Sequence, residues 1–345
     1  MSGARSDVVV VEGVWGEPFE ALALNHSLLR RPDALVESDD LGEVLAHARA
    51  LVVRNRTCVG PELLAAAPRL EVVGRAGVGL DNVDVAAADA HGVVVVVPLG
   101  VNASSVAEHT LALALALLRD VPGHDRAVRA ASWVRTPGRE LGGRSWGLLG
   151  AGATGLAVAR LAVAVGMRVL AYDPYVDAAA AGRAGVEVSD LDTLLGSVDV
   201  LSVHLPATPE THQLLGSRAF ALMRPGCLVI NVGRGEVVDE IALADALASG
   251  QVGGAGLDVR AQEPPEPGPL DAAPNVLFTP HVAGITVESQ QRIAAILAGD
   301  IAAVLGGGEA AHAVGAHRRA TRVARVEHQA DGGPGMRAER EPDDE

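Results

Sequence analysis

Three short segments late in the chain carry side chains that could together oxidise a small hydroxy acid. The segments NVGRG, LDVRAQEPP and TPHVAG offer, in that order, Arg234, Glu263 and His281. A histidine exchanges protons near neutral pH, and it can take a hydroxyl proton while a hydride leaves the neighbouring carbon. A carboxylate beside the histidine fixes the ring tautomer, and an arginine grips a carboxylate in a fork and polarises the reacting oxygen. The ordered trio therefore predicts acid–base chemistry on a carboxylic acid.

A hydride acceptor is indicated by the segment SWGLLGAGATGLAVARLAVAVG. Gly150, Gly152 and Gly155 have the G-x-G-x-x-G spacing, with an apolar strand before them and an Ala/Leu/Val helix after them. The first glycine permits a tight turn, the second lets the backbone approach a pyrophosphate, and the third lets the helix pack against the strand. The helix N-terminus then holds the phosphates, which predicts a dinucleotide site.

Asp173 completes this dinucleotide site. It stands at the tip of the next predicted strand, in RVLAYDP, at roughly the 20-residue spacing of a ribose-binding carboxylate. A carboxylate accepts hydrogen bonds from the ribose hydroxyls and repels a 2′-phosphate. Asp173 therefore favours NAD over NADP as the cofactor.

The composition restricts the partners and the compartment. A formal net charge of −15 disfavours nucleic acid or an anionic membrane as a partner. All 28 residues counted as lysine or arginine are arginines, which excludes lysine Schiff-base chemistry, so arginines or backbone amides must hold an anionic substrate. No apolar run is long enough to span a bilayer, no secretory signal pattern is present, and two cysteines cannot form a disulfide framework. We expect a cytoplasmic protein without a metal site.

The elements that must position these groups follow an α/β pattern. Valine-rich runs alternate with Ala/Leu helical stretches, which predicts parallel sheets covered by helices on both faces. Strands are predicted in a first block at 7–11, 50–54, 70–75 and 93–98. After a long helix over 104–119, a second block has predicted strands at 146–150, 168–173, 199–205, 228–232, 255–259 and 276–280.

The glycine fingerprint opens the second block, so a complete α/β unit precedes the cofactor domain. We predict a Rossmann NAD-binding domain over 102–284, inserted in a flavodoxin-like substrate domain made of 1–101 and 285–315. A helix over 289–305 returns to the first domain. Residues 316–345 are polar and charged without hydrophobic periodicity, which predicts a disordered tail.

Longer motifs make the chain resemble the D-isomer-specific 2-hydroxyacid dehydrogenases from about residue 50 to residue 305. These motifs include GRAGVGLDNVD, NASSVAEHTLALALALLR, VHLPATPETHQLL and MRPGCLVINVGRGEVVDEIALADAL. The resemblance implies that Arg234, Glu263 and His281 are the catalytic set. It further implies that the helix starting near Ser104 builds a homodimer interface.

The resemblance also implies which residues contact the ligands. Asp258 is expected to contact the nicotinamide amide, and the backbone amides near Val78 and Gly79 are expected to bind the substrate carboxylate. The residues predicted to bind NAD are Gly150, Gly152, Ala153, Thr154, Gly155, Asp173, His204, Pro206 and Asp258. The residues predicted to bind the small-molecule substrate are Arg54, Arg75, Val78, Gly79, Asn102 and Arg135.

Within the family, the chain resembles in particular the D-3-phosphoglycerate dehydrogenases. The segments LVVRNRT, LEVVGRAGVGLDNVD and SWVRTPGREL supply Arg54, Arg75 and Arg135 at positions that resemble phosphate-handling arginines. A phosphorylated three-carbon acid has two anionic ends, and Arg234 takes one of them. The expected reaction interconverts 3-phosphoglycerate and 3-phosphohydroxypyruvate. Three departures stand out: Gly233 stands where the family usually has alanine or serine, Arg260 replaces a usual phenylalanine, and we expect no counterpart of the C-terminal regulatory domain of many of these enzymes. Serine feedback is thereby left without an evident structure.

Other interpretations remain open from the sequence. One is a reductase of hydroxypyruvate, glyoxylate or another anionic 2-keto acid, such as a sulfonated one. Another, of a different class, is an NAD-sensing corepressor-like interaction protein, because the family includes corepressors that keep the same catalytic groups. Formate dehydrogenase activity is disfavoured, because a one-carbon substrate has no second anionic group for Arg54 and Arg75 to bind. The physiological direction of the reaction is left undecided.

Overall fold

The computed structural model describes residues 6–14, 16–32, 44–273 and 275–321. They form two α/β domains, each built on a sheet that is wholly or almost wholly parallel. The predicted fold class is confirmed. Among the described residues, no helix has both the length and the apolar character needed to cross a bilayer.

The first sheet has six strands in the order β13-β5-β4-β3-β1-β2. They are β1 (Val8–Val11), β2 (Leu28–Arg31), β3 (Ala50–Val53), β4 (Val72–Arg75), β5 (Val94–Val96) and β13 (Ala313–Val314). All neighbours are parallel except β13 and β5, which are antiparallel. The sequence analysis did not predict β2 or β13, because β2 is an exposed edge with two arginines and β13 has only two residues.

The valine runs of this sheet are buried on both faces. Along β1, Val8 and Val10 pack in one core cluster with Ile301, whereas Val9 and Val11 pack in a second cluster with Leu64. Successive side chains of a strand point to opposite faces, so a sheet covered on both sides requires a continuous apolar run.

The second sheet has seven parallel strands in the order β12-β11-β10-β9-β6-β7-β8. They are β6 (Ser145–Leu149), β7 (Arg168–Tyr172), β8 (Val186–Val188), β9 (Val200–Val203), β10 (Cys227–Asn231), β11 (Val252–Leu257) and β12 (Val276–Phe278). The sequence analysis did not predict β8, a three-residue edge strand with two exposed residues. The strand order reverses between β6 and β9, which is where open α/β sheets bind their ligands.

Eleven helices with described bounds connect these strands. They are α1 (Glu17–Leu22), α2 (Pro61–Ala66), α3 (Val85–Ala90), α4 (Ala103–Leu118), α5 (Val121–Arg129), α6 (Ala153–Ala164), α7 (Ala178–Arg183), α8 (Leu191–Leu195), α9 (Ser217–Leu222), α10 (Glu240–Ala248) and α11 (Val287–Leu305). Helix α11 packs on the first sheet, as predicted. Its Leu297 and Ile301 side chains lie so close to Gly74 of β4 that a Cβ there would meet each of them at 3.3 Å.

The segment after β13 stays in contact with the first domain. The backbone N–H of Ala316 donates to the Asp89 carboxylate at 3.0 Å, and that of Thr321 donates to the Gly92 carbonyl at 3.2 Å. Residues 316–321 therefore do not behave as the predicted disordered tail, because backbone hydrogen bonds fix them to helix α3 and the turn after it. The rest of the predicted tail lies outside the described residues, and the predicted domain limits stay predictions.

Candidate functional site

A cleft of about 1670 Å³ lies between the two sheets, where the strands of both domains end. Pockets that hold a single small molecule usually measure about 300–1,000 Å³, so this cleft has room for two ligands. Most of the predicted site residues line it. They are Arg54, Arg75, Val78, Gly79, Asn102, Thr154, His204, Pro206, Arg234, Asp258, Glu263 and His281.

The remaining predicted residues lie elsewhere. Gly150 and Gly152 belong to the turn between β6 and α6, Ala153 and Gly155 lie in the first turn of α6, and Asp173 directly follows β7. Arg135 is exposed in the irregular segment that follows α5, and it is not among the residues that line the cleft of its own chain. The position of Arg135 in a single chain therefore does not support the prediction that it binds the substrate, because the residue is exposed and lies outside the cleft.

His281 and Glu263 form the dyad that the sequence predicted. The His281 Nδ1 atom lies 2.7 Å from Glu263 Oε2, and the two side chains are 43% and 36% exposed. Because a carboxylate can only accept, Nδ1 carries the proton, and Nε2 is left to exchange a proton in the cleft. The turn is unusual, since His281 has a φ of 54°. Its backbone N–H donates to the carbonyls of Asp258 at 2.8 Å and Thr279 at 3.0 Å, which fixes that conformation.

Asp258 holds the turn that carries His281. Its carboxylate is 2% exposed and accepts from the backbone N–H groups of Val282 at 2.9 Å and Ala283 at 2.8 Å, and from the Thr279 hydroxyl at 2.5 Å. The Thr279 oxygen in turn accepts from His109 Nε2 at 3.0 Å. This network positions the histidine, and contact between Asp258 and the nicotinamide amide stays a prediction.

Arg260 contacts Glu263 through its backbone and Glu240 through its side chain. Its backbone N–H donates to Glu263 Oε1 at 3.2 Å, while its guanidinium donates to both Glu240 oxygens at 2.9 and 2.8 Å. The hydrogen bonds between the Arg260 guanidinium and the Glu240 carboxylate are the main cause of a raised pKa at Arg260 and a lowered pKa at Glu240. The guanidinium also lies 5.0 Å from the centroid of the Phe278 ring. An arginine therefore fits where the family usually has phenylalanine.

Arg234 lies against the segment that the sequence predicted as a carboxylate cradle. Its Nη1 donates to the Gly233 carbonyl at 2.8 Å, and its Nη2 donates to Asp81 Oδ2 at 2.8 Å. A Cβ on Gly79 would meet the ends of the Arg234 and Asp81 side chains, so a larger residue here would have to displace both of them. Within the described part of the chain, the backbone N–H groups of Val78 and Gly79 have no protein acceptor. Two amides and a guanidinium therefore converge on a space that suits a carboxylate.

Arg54 and Arg75 stand at the carboxyl ends of the paired strands β3 and β4, as predicted. Arg75 is only 9% exposed, and its buried Nε has no hydrogen-bond partner. Burial, together with the charges of Arg234 and Arg54, lowers the pKa of Arg75 to about 10. Burial also lowers the pKa of Arg54. An incompletely paired, buried cation beside two others indicates a site for an anion.

The glycine turn fits a dinucleotide. Gly150 has a φ of 94°, a Cβ on Gly155 would overlap the Gly150 carbonyl, and a Cβ on Gly152 would have nothing within 4 Å. Helix α6 has no side-chain cap at Gly152, so its first amides are free to meet a phosphate. The Asp173 carboxylate accepts from Ala151 N–H at 2.8 Å, which ties it to this turn.

His204 offers a buried ring nitrogen on the nucleotide side of the cleft. Trp146 Nε1 donates to Ser202 Oγ at 2.8 Å, and Ser202 Oγ and His204 Nε2 are hydrogen-bonded, also at 2.8 Å. Burial lowers the pKa of His204 to about 3, so the ring is neutral. Its Nδ1 atom is buried without a partner among the described residues.

Several residues in the cleft or bound to its lining were not predicted as site residues. Asp81 contacts Arg234, Glu12 and Asn82 hold the loop that carries Arg54, and Glu240 holds Arg260. Glu12 had a usable signal, because it follows the predicted strand 7–11 directly, at the sheet edge where ligands bind. Among the described residues, no three His, Cys, Asp or Glu side chains come together as a metal site would require.

Comparison with known proteins agrees with this geometry. Residues 111–283 match the family model described as D-isomer specific 2-hydroxyacid dehydrogenase, NAD binding domain. The chain is 46% identical over 273 residues to D-3-phosphoglycerate dehydrogenase of Mycobacterium tuberculosis, which covers 79% of this chain and 52% of that protein. It thus spans about half the length of the curated relatives that it matches.

Solved structures share the fold over nearly their full length. A protein of Thermus thermophilus is 33% identical with a TM-score of 0.83, covering 89% of this chain and 99% of that one. D-lactate dehydrogenase of Aquifex aeolicus, crystallised with NAD and lactic acid, is 30% identical with a TM-score of 0.78 and covers 87% and 96% of the two chains.

Proposed function

The chain belongs to the D-isomer specific 2-hydroxyacid dehydrogenase family, and from that premise we propose that it transfers a hydride between NAD(H) and a small D-2-hydroxy acid. The observation that carries the proposal is the convergence of two groups of residues on one cleft. The His281–Glu263 dyad supplies a proton-exchanging atom, and Arg234 with the free amides of Val78 and Gly79 supplies a carboxylate site.

The residues act as follows in the direction of oxidation. Arg234 and the two amides hold the substrate carboxylate, and the guanidinium also polarises the oxygen on C2. His281 Nε2 takes the proton of the C2 hydroxyl while the hydride on C2 leaves, so that the C2 oxygen becomes a carbonyl. Glu263 stabilises the imidazolium that results. When bound, NAD supplies the hydride acceptor.

We propose 3-phosphoglycerate and 3-phosphohydroxypyruvate as the substrate pair. Arg75 and Arg54 offer buried positive charge beyond the carboxylate site, and a phosphate would pair with the Nε that lacks an acceptor. The similarity to a mycobacterial D-3-phosphoglycerate dehydrogenase supports the same assignment.

We also propose that the protein is a homodimer. Helix α5 and the segment after it present a run of exposed apolar side chains, which includes Val121, Val128, Trp133 and Val134 at 56%, 53%, 78% and 69% exposure. Exposed apolar side chains grouped in this way are typical of a protein interface. The predicted cytoplasmic location and the absence of a nucleic-acid partner stay predictions.

A panel of 2-keto acids tests the function directly. The purified protein is mixed with NADH and, in turn, 3-phosphohydroxypyruvate, hydroxypyruvate, glyoxylate, pyruvate and sulfopyruvate, and the loss of NADH is followed. We expect turnover of several acids and the lowest KM for the phosphorylated one. NADH binding without turnover of any acid would contradict the dehydrogenase assignment and support the NAD-sensing alternative.

A further inference from the structure

Glu12 is a buried carboxylate that binds four successive backbone amides. It follows β1 directly, has a φ of 61°, and its side chain is 1% exposed. Its Oε1 accepts from the N–H groups of Thr57 at 2.8 Å and Arg54 at 3.3 Å. Its Oε2 accepts from those of Arg56 at 2.9 Å and Asn55 at 3.1 Å.

The loop held in this way has no regular secondary structure of its own. The Asn82 side-chain amide holds it from the other side, donating to the carbonyls of Thr57 at 2.6 Å and Arg54 at 3.1 Å. The four backbone N–H groups of residues 54–57 and two of their carbonyls are thus bound by two side chains, Glu12 directly after β1 and Asn82 between β4 and α3. Buried loop amides are costly when they lack acceptors, so the loop depends on Glu12 for its conformation.

Only a carboxylate satisfies this arrangement. Both oxygens of Glu12 accept two N–H groups each, which uses the acceptor capacity of an ionised carboxylate. A glutamine would turn an NH₂ group toward two of the amides and leave them unpaired. Although burial opposes ionisation, the hydrogen bonds from the loop lower the pKa of Glu12, so the carboxylate is charged.

The loop carries Arg54 into the cleft beside Arg75. Two partly buried guanidiniums repel each other, and the negative charge of Glu12 favours the protonated form of both. Glu12 therefore fixes the conformation of the loop. Its negative charge also offsets part of the repulsion between Arg54 and Arg75. Both effects act on side chains of the first domain, whereas the His281–Glu263 dyad belongs to the second domain.

We propose that Glu12 is a positioning residue that sets the preference of the enzyme for substrates with a second anionic group, by fixing Arg54 next to Arg75. This inference rests on the proposed dehydrogenase function. It concerns the distal end of the substrate and not the carbon that reacts.

The test compares two substrates in Glu12→Gln, Glu12→Asp and unmutated enzyme. In Glu12→Gln, the KM for 3-phosphohydroxypyruvate should rise about 10- to 100-fold, the effect of losing one charge-assisted contact, with a much smaller change for hydroxypyruvate. Glu12→Asp keeps both oxygens and should recover part of the preference. Glu71→Gln is the matched control, because Glu71 is a buried carboxylate that pairs with Arg49 in the same domain, outside the cleft. It should leave the ratio of the two KM values unchanged.

A second measurement needs no substrate. Trypsin cleaves after arginine, so the bonds after Arg54 and Arg56 report directly on the loop. Cleavage there, mapped by mass spectrometry, should be about tenfold faster in Glu12→Gln, and inorganic phosphate should protect the unmutated protein. Unchanged cleavage, or an equal KM increase for both substrates, would overturn the inference. If the unmutated enzyme does not discriminate between the substrates, the proposed substrate is wrong, and proteolysis alone then decides whether Glu12 holds the loop.

Discussion

Asp81 holds the guanidinium of Arg234 across the cleft, with Nη2 2.8 Å from Oδ2 and Nε 3.4 Å from Oδ1. Asp81 lies between β4 and α3 of the first domain and Arg234 follows β10 of the second, so the pair joins the two domains. Although burial opposes ionisation, the hydrogen bond from Arg234 lowers the pKa of Asp81. A carboxylate of the protein thus contacts the guanidinium that we assign to the carboxylate of the substrate.

Replacing Asp81 with asparagine should lower the KM for the 2-keto acid. The side chains of Arg234 and Asp81 are 24% and 55% exposed, and such pairs contribute about 0–1 kcal/mol, or up to about fivefold in affinity. Steady-state kinetics at saturating NADH would measure the change in KM. We expect kcat to fall by a smaller factor than KM does. A raised KM together with a lost kcat would instead show that Asp81 orients Arg234. Asp125→Asn, which removes an exposed pair with Arg129 on α5, is the control.

The parts of the site that follow strand ends were predictable from the sequence. Arg54, Arg75, Arg234 and His281 each end or follow a strand with a valine-rich or otherwise apolar pattern, and parallel strands bring those ends to one edge. The short strands β2, β8 and β13 were missed, because edge strands need little apolar surface.

Contacts between distant segments could not be predicted. Asp81 and Arg234 are 153 residues apart, and Glu12 meets the amide of Thr57 from 45 residues away. Asp81 looks like an ordinary surface charge until the two sheets are placed together. The position of Glu12 directly after a strand points to the cleft but does not show which amides it binds. The role of Arg260 was hidden for the same reason, since Glu240 lies 20 residues before it.

Replacing His281 with alanine should reduce kcat by about 10²–10⁴-fold, the usual contribution of a positioned general acid–base group. The affinity for NADH, measured by titration, should stay unchanged, because the glycine turn after β6 is separate from the segment after β12 that carries His281. Glu263→Gln should cost less, because glutamine can still accept from Nδ1–H but cannot stabilise the imidazolium by charge. Alanine at His124 on helix α5 should change neither quantity. A His281→Ala enzyme with normal kcat would refute the assignment.

Asp173 should make NADH the preferred cofactor. Its carboxylate also accepts from Ala151 N–H and Tyr175 N–H, so Asp173→Asn, which keeps one acceptor oxygen, disturbs the turn less than Asp173→Ala. Both variants should narrow the ratio of kcat/KM for NADH over NADPH, because the repulsion of a 2′-phosphate is lost. Equal use of the two cofactors by the unmutated enzyme would rule this role out.

Glu12 should make the folded state sensitive to acid. Its pKa is lower folded than unfolded, because the loop hydrogen bonds outweigh burial. The stabilisation is therefore complete above the unfolded value of about 4.3 and is lost as the pH falls through the folded value. Urea unfolding should show Glu12→Gln to be about 1–3 kcal/mol less stable at neutral pH, with a smaller difference well below pH 4. The surface variant Glu62→Gln should show no such trend, and a difference independent of pH would contradict the assignment.

Arg75 should make the folded protein less stable while making the enzyme specific for phosphorylated substrates. A buried guanidinium with an unpaired Nε and two like charges nearby carries a desolvation cost that Asp81 and Glu12 offset in part and that an anionic ligand would offset further. Arg75→Met keeps the volume and removes the charge, so urea unfolding should find the variant as stable as the unmutated protein or more so. The same variant should lose stabilisation by inorganic phosphate, and its KM for 3-phosphohydroxypyruvate should rise about 10- to 100-fold.

Arg54→Met provides the comparison, because Arg54 is less buried and should gain less stability. A loss of stability in Arg75→Met, with equal KM increases for phosphorylated and unphosphorylated acids, would show that Arg75 is a structural residue. Retained stability, with a KM increase for the phosphorylated acid only, would show instead that Arg75 is an unfavourable buried charge whose function is to bind the substrate.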